Sequence, residues 1–258
     1  MKKLASVSGK WWFFVILFVL QCVLVPFASL NFDFENTSDI IFTTLGNAVQ
    51  LKMGDYNIYF QILSLAMLIA LIVFKDKLKR AFTIYVAVSY IVFAFIQNIA
   101  FTEKYGLSVV TVNVVMFLFV GYVWIREAFE GKNSYSFANC KWKYSWMVVL
   151  SLFAYLCPLA SPGFDFNPML FFHKNSATAF CLMTPLFLTI MTLNIPRINI
   201  VTYRITAIIG VIIGLYNMLS FFNPNTINVG ILHIPLLLIS LYSCILSYNI
   251  ETKRAANV

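Results

Sequence analysis

The sequence predicts an all-α, polytopic membrane protein whose eight transmembrane helices form two parallel four-helix repeats. Three observations carry this expectation. Of 258 residues, 61% are hydrophobic and 11% charged, against about 45–50% and about 25% in ordinary soluble domains. The mean hydropathy is +0.84, and a soluble fold of this size would be left with large exposed apolar patches. The apolar residues gather into eight uncharged blocks, and one sequence element recurs 132 positions further on.

A helix needs about 20 apolar residues to cross the hydrocarbon of a bilayer. Long stretches at 11–30, 58–74, 81–101, 107–125, 146–162, 177–193, 205–222 and 229–250 contain no Asp, Glu, Lys or Arg. The first resembles a cleavable signal peptide, with Lys2 and Lys3 before the apolar run and Phe27-Ala28-Ser29 after it. Its length, and the return of a similar segment inside the chain, assign it to helix one.

With connecting segments placed on alternate sides, fifteen of the eighteen Lys and Arg fall on one side. Only Lys52, Lys104 and Lys174 fall on the other. Retention of basic residues inside then predicts a multi-pass protein of the cell (cytoplasmic or inner) membrane with both termini cytoplasmic. This bias accounts for the net charge of +8. No basic run is interleaved with aromatics, so no nucleic-acid partner is expected; the bilayer itself is the first partner.

The recurring element supplies the repeat. Leu20, Leu24, Pro26, Ala28, Ser29 and Phe32-Asp33-Phe34 return as Leu152, Leu156, Pro158, Ala160, Ser161 and Phe164-Asp165-Phe166, eight identities in fifteen positions. Weaker echoes pair Gln97-Asn98 with Tyr216-Asn217 and Asn113 with His233. The chain divides into residues 1–130 and 131–258, each with an even number of spans, so the halves enter from the same side and are parallel repeats. They differ in the first outer loop, 31–57, which is long and predicts a short helix from Ser38 with Ile41, Leu45 and Val49 on one face. Such a helix rests at the interface or closes over a mouth.

Carboxylates within spans mark proton or cation coupling, and these spans have none. Their polar residues collect near the outer ends instead: Gln61, Asn98, Asn113, Asn217 and His233, with Asp33 and Asp165 just beyond helices one and five. Such groups either join helices by hydrogen bonds or line an outward pocket between the halves. Asp33 and Asp165 follow helix C-termini, where the macrodipole disfavours an anion, so each needs a local partner: a backbone turn, an outer lysine or a cation. Pro235, two residues after His233, is expected to bend helix eight.

Chemical motifs are missing. Cys22, Cys157, Cys181 and Cys244 fall in spans and Cys140 on the cytoplasmic side, which predicts neither an outer disulfide framework nor a thiolate metal site. His173 lies in a loop and His233 in a span, a poor pair for haem. No nucleophile elbow, HExxH pair or phosphate loop is present, so no enzyme activity, metal or cofactor is expected. The expected function is that of a small carrier or permease-like protein. It would bind a neutral or weakly polar small molecule in the outer half between the repeats, through Asn98, Asn113, Asn217 and His233 with Asp33 and Asp165 at the mouth. The alternative is a non-catalytic membrane subunit, accessory or immunity protein that binds a partner membrane protein. Its docking surface would be the inner loop 126–143 with Trp142 and Trp146.

Overall fold

A computed structural model describes residues 2–138, 140–160, 163–222 and 224–256. The chain is overwhelmingly helical. Its helices are α1 (Lys2–Ser8), α2 (Trp11–Val23), α3 (Thr37–Gly46), α4 (Asn57–Phe74), α5 (Lys79–Ile96), α6 (Thr111–Glu130), α7 (Ser145–Leu156), α8 (Phe180–Leu193), α9 (Ile200–Asn217) and α10 (Ile227–Ala256). Among the described residues, four stretches are long and apolar enough to cross a membrane: Gly54–Ile96, Thr111–Glu130, Ile200–Phe222 and Ile227–Glu251. The first contains both α4 and α5, separated at Lys75, whose φ of 50° breaks the helical path. This is a membrane-embedded helical protein.

The helix ends depart from the sequence expectation at both kinds of boundary. Expected span one runs to residue 30, yet α2 stops at Val23 after 13 residues. Pro26 has no N–H to offer a helix, and Phe27–Ala28 pairs as strand β1 instead. Expected span three ends at 101, but α5 stops at Ile96. Ile99–Thr102 (β2) and Gly106–Val109 (β3) then form a hairpin turned by Gly106 at φ 61°. These residues are rich in β-branched and aromatic side chains, which favour extended chain. The strands make an antiparallel sheet in the order β1-β3-β2. Leu159–Ala160 (β4) pairs with Gly163–Phe164 (β5) after α7. At the other boundary, α6 and α9 take in charged residues expected outside the spans, including Glu127 and Arg204.

Two helices occupy the middle. Every residue from Phe180 to Thr192 in α8 and from Val201 to Gly214 in α9 is buried. The other helices surround them, with α9 lying along α10 and α5 along α6. Aromatic rings fill the junction: Phe117 of α6 stacks on Phe180 of α8 at 4.0 Å, and Tyr90 and Trp124 close on Phe187. By contrast α4 buries only Asn57, Gln61, Ser64 and Leu71, so α4 and α8 are not packed equivalently. Outward rings and aliphatics such as Ile62, Ile69 and Ile72 are exposed, as a lipid-facing surface requires.

The helix ends sort onto two faces. One, the hairpin face, carries the sheet, α3, the start of α4 and α8, and residues 165–178. The other, the termini face, carries α1, the loop 131–144 and the end of α10, where the Tyr248 hydroxyl donates to the Ser8 carbonyl at 3.3 Å. Helix α3 forms close to where it was expected, but it is fixed to the sheet. Ile40 is buried beneath it, the Thr44 hydroxyl donates to Ser108 Oγ at 2.9 Å, and Ala48 bridges to Ala100. Val49 lies beyond the helix, in a short 3-10 turn, and is half-buried.

Candidate functional site

On the hairpin face, the polar residues singled out from sequence each meet a different neighbour. Asp33 and Asp165 are exposed, and each carboxylate closes a backbone turn. Asp33 Oδ1 accepts from the N–H of Glu35 at 3.1 Å and Asp165 Oδ1 from that of Asn167 at 2.8 Å. Neither follows a helix C-terminus as expected: α2 ends at Val23 and α7 at Leu156, so the macrodipole conflict does not arise. Asn98 is buried and caps α5, its Nδ2 donating to the carbonyls of Phe93 and Ala94 at 3.1 and 3.3 Å. Asn113 accepts from Gln21 Nε2 at 3.3 Å, joining α6 to α2. Asn217 donates to Cys181 Sγ at 3.2 Å, joining α9 to α8. His233 Nδ1 lies 2.6 Å from the Val229 carbonyl one turn back in its own helix. Among the described residues, no hydrogen bond joins any two of these six.

A cleft of about 490 Å³ opens elsewhere on the same face. One wall comes from the first half of the chain: Leu51, Gly54, Asp55, Asn57 and Ile58. The other comes from the second: Phe172, His173, Lys174 and Asn175. Small-molecule sites are about 300–1,000 Å³, so the volume suits such a ligand.

One stripe on α4 contributes Asn57 to the cleft and ties down its opposite wall. Asn57, Gln61 and Ser64 recur at helical spacing and are the buried polar face of that helix. Gln61 is fully buried, and its Nε2 lies within donating distance of Phe171 O and Lys174 O, both at 3.1 Å, and of Ser176 Oγ at 2.7 Å. Its Oε1 accepts from the Ala177 N–H at 3.2 Å. A second buried amide, Gln50, donates to Asn175 O at 3.1 Å. Ser64 Oγ pairs with the Tyr155 hydroxyl of α7, and Lys174 Nζ donates to Leu159 O. The carbonyls of Phe171, Lys174 and Asn175 are thereby held from the first half, which fixes the wall that contains His173 and Lys174.

Asn57 stands one turn before Gln61 and is only 6% exposed, yet its Oδ1 has no hydrogen-bond partner. An unpaired buried acceptor costs about 1–3 kcal/mol. Asn57 lines the cleft in company with Asp55, His173 and Lys174. The lining thus brings a residue with an unpaired buried acceptor together with residues of both charge signs, Asp55 and Lys174. Gln61 belongs to the polar layer read from the sequence; Asn57 and the loop residues were missed. The available signal was the i, i+4 spacing of Asn57 and Gln61 together with the His173-Lys174-Asn175 run.

The termini face holds a smaller cleft of about 210 Å³, lined by Lys79, Arg80, Thr83, Glu127, Gly131 and Asn133 among others. Glu127 is 1% exposed. Its oxygens accept from the Asn133 N–H and from Asn199 Nδ2, each at 2.6 Å. Asn133 Oδ1 takes the Asn199 N–H at 2.7 Å, and its Nδ2 donates to the Tyr135 hydroxyl at 3.2 Å. This closed network ties α6, the loop and the start of α9. Nearby, Arg204 is fully buried and donates through Nη2 to Glu251 at 2.6 Å. Among the described residues, no three His, Cys, Asp or Glu side chains gather as a metal-binding set.

Comparison with protein-family models, with curated proteins and with solved structures finds no match to this chain.

Proposed function

We propose that this chain is a carrier-like, non-enzymatic membrane protein that binds a small, overall neutral polar ligand in the cleft between α4 and residues 171–175. The observation that carries the reading is the buried Asn57, its Oδ1 unpaired, in the lining of a cleft whose walls come from the two halves of the chain. A carrier site at the junction of repeats follows the same logic.

The reading includes eight spans arranged as two parallel repeats, 1–130 and 131–258, with both termini cytoplasmic in the cell membrane. The corresponding turns at Asp33 and Asp165 support the duplication. So do the two-residue strands Phe27–Ala28 and Leu159–Ala160, which follow Pro26 and Pro158 at the same offset of 132. Ser161, part of the repeated element, lies outside the described residues. Helices α2, α7 and α8, with 13, 12 and 14 residues, are shorter than a usual span. For α8 the mismatch is harmless, because it is enclosed by protein and meets no lipid. For α2 and α7 the extended segments that follow continue the path toward the interface.

The test is uptake. Cells producing the chain should deplete one or more solutes from a defined mixture faster than control cells, read by mass spectrometry. Asn57→Leu should abolish the difference at equal membrane abundance. If uptake is the same for the variant and the parent, the cleft is not the recognition site.

A specific observation favours the alternative of a partner-binding subunit: Trp142 and Phe129 are 89% and 76% exposed beside Lys132, Lys141 and Lys143. Tyr135 and Asn133 of the same loop are buried, so those two residues take no part in such a docking surface. Replacing Trp142 and Phe129 by serine should then release a co-purifying membrane protein; an unchanged set of co-purifying proteins counts against it.

A further inference from the structure

The ligand class can be narrowed from the cleft's own chemistry, on the premise of the proposed recognition site. Three groups define what is complementary. Asn57 Oδ1 is an acceptor with no donor, so the ligand must bring an N–H or O–H. Lys174, half-buried on the second-half wall, has a cationic group whose one acceptor among the described residues is the Leu159 carbonyl, which leaves two N–H donors to give. Asp55 stands on the opposite wall with an exposed carboxylate. No ion pair joins Asp55 to Lys174, so the two charges are not spent on each other.

We propose that the cleft recognises a small zwitterion carrying both a carboxylate and a protonated amine, an amino-acid-type ligand. Its carboxylate meets Lys174. Its ammonium lies toward Asp55 and gives one N–H to Asn57 Oδ1. A purely anionic ligand leaves Asp55 opposed and Asn57 unpaired, and a purely cationic one faces Lys174. A quaternary zwitterion matches both charges but has no N–H to give. The walls are set in advance by Gln50 and Gln61, which hold the backbone of residues 171–177, so little ordering is needed on binding.

The full chain in lipid nanodiscs separates these cases by calorimetric titration. The probes are the common L-amino acids singly, N,N,N-trimethylglycine, butyrate and butylamine. The expected result is binding of at least one amino acid, with trimethylglycine, butyrate and butylamine each at least about tenfold weaker, the scale of one lost hydrogen bond to a charged group. Asn57→Leu should remove the preference for the amino acid over trimethylglycine. Asp55→Asn and Lys174→Gln, at solvent-reachable sites that leave the core intact, should each weaken the amino acid at least about tenfold. Butyrate or trimethylglycine binding as tightly as any amino acid overturns the zwitterion assignment. So does the absence of amino-acid binding. If Asn57→Leu still abolishes uptake of some other solute, the carrier cleft stands and only its ligand class is wrong; if uptake is also unaffected, both fail.

Discussion

Gln61 and Ser176 share hydrogen bonds through both atoms of the amide: Nε2 lies 2.7 Å from Ser176 Oγ, which in turn lies 3.2 Å from Oε1. The pair is fully buried and joins residues 115 positions apart. It is the main polar tie between α4, a helix with little other buried surface, and the loop that enters α8. Gln61→Leu deletes the amide and leaves the carbonyls of Phe171 and Lys174 and the Ala177 N–H without it. The expected cost is about 3 kcal/mol or more, at about 1–3 kcal/mol for each of these three groups. It should be read as a lower unfolding temperature and as proteolysis within residues 165–178. Unchanged protease resistance of that loop would show that other contacts hold it.

The neighbouring Asn57 shows what the sequence could and could not provide. Helices were legible because apolar blocks bounded by Lys and Arg have one economical arrangement in a bilayer. Where the helices end was less so: Pro26 did stop α2 early, but the strands at Phe27 and Ile99 depend on each other across the sheet and leave no local pattern. Asp33 and Asp165 were readable as turn formers because that interaction reaches only two residues along the chain. The cleft depends on a loop 110 or more residues from α4, and no spacing rule reports such a meeting. Arg204 and Glu127 read as loop charges because a lone charge near a span end is usually solvated, whereas here each is buried against a partner on another element.

Glu127 invites a second prediction. Its carboxylate is the acceptor for Asn133 N–H and Asn199 Nδ2, so Glu127→Ala strands two buried donors. The expected loss is about 3 kcal/mol or more, as for removal of one partner from a buried charged network. Glu127→Gln keeps one acceptor oxygen but brings an NH₂ against the second donor, so it should rescue only part. Thermal unfolding of the two variants in detergent, ranked against the parent, checks the order. Equal stability of Glu127→Ala and the parent would remove the network from the account of how α6 and α9 are held.

The close seam of α9 and α10 is tested at Gly210. A Cβ there would collide with Ser240 Oγ and sit 3.0 Å from Ser240 Cβ, and one at Gly214 would meet the Leu237 Cα at 3.0 Å. Small residues four apart allow such backbone approach between membrane helices. Gly210→Ala should destabilise by about 1–3 kcal/mol, the usual cost of overpacking. Ser240→Gly in the same chain should recover more than half of that loss, since it removes both colliding atoms. The double-mutant cycle gives the coupling, and a coupling near zero would mean that the helices separate rather than clash.

The attachment of α3 should depend on pH through one carboxylate. Asp39 accepts from Lys104 Nζ at 2.8 Å and from the Tyr105 hydroxyl. The Lys104 hydrogen bond, and after it that of Tyr105, holds the carboxyl below the ordinary aspartate range. A depressed folded-state pKa contributes stability that is complete above the unfolded value and disappears as pH falls through the folded one. The reverse holds at the basic end, where the Asp39 hydrogen bond, followed by that of Tyr105, raises the Lys104 pKa. That contribution is complete below the ordinary lysine value and is lost as pH rises through the raised one. The clamp should therefore be constant across neutral pH and open in acid below the usual aspartate range. Hydrogen exchange of the α3 amides, corrected for intrinsic rates, should show protection falling at that acid step. Asp39→Asn should show weaker protection at neutral pH and no acid step, because the group that titrates is gone. A persistent step in Asp39→Asn would assign the pH response to another carboxylate.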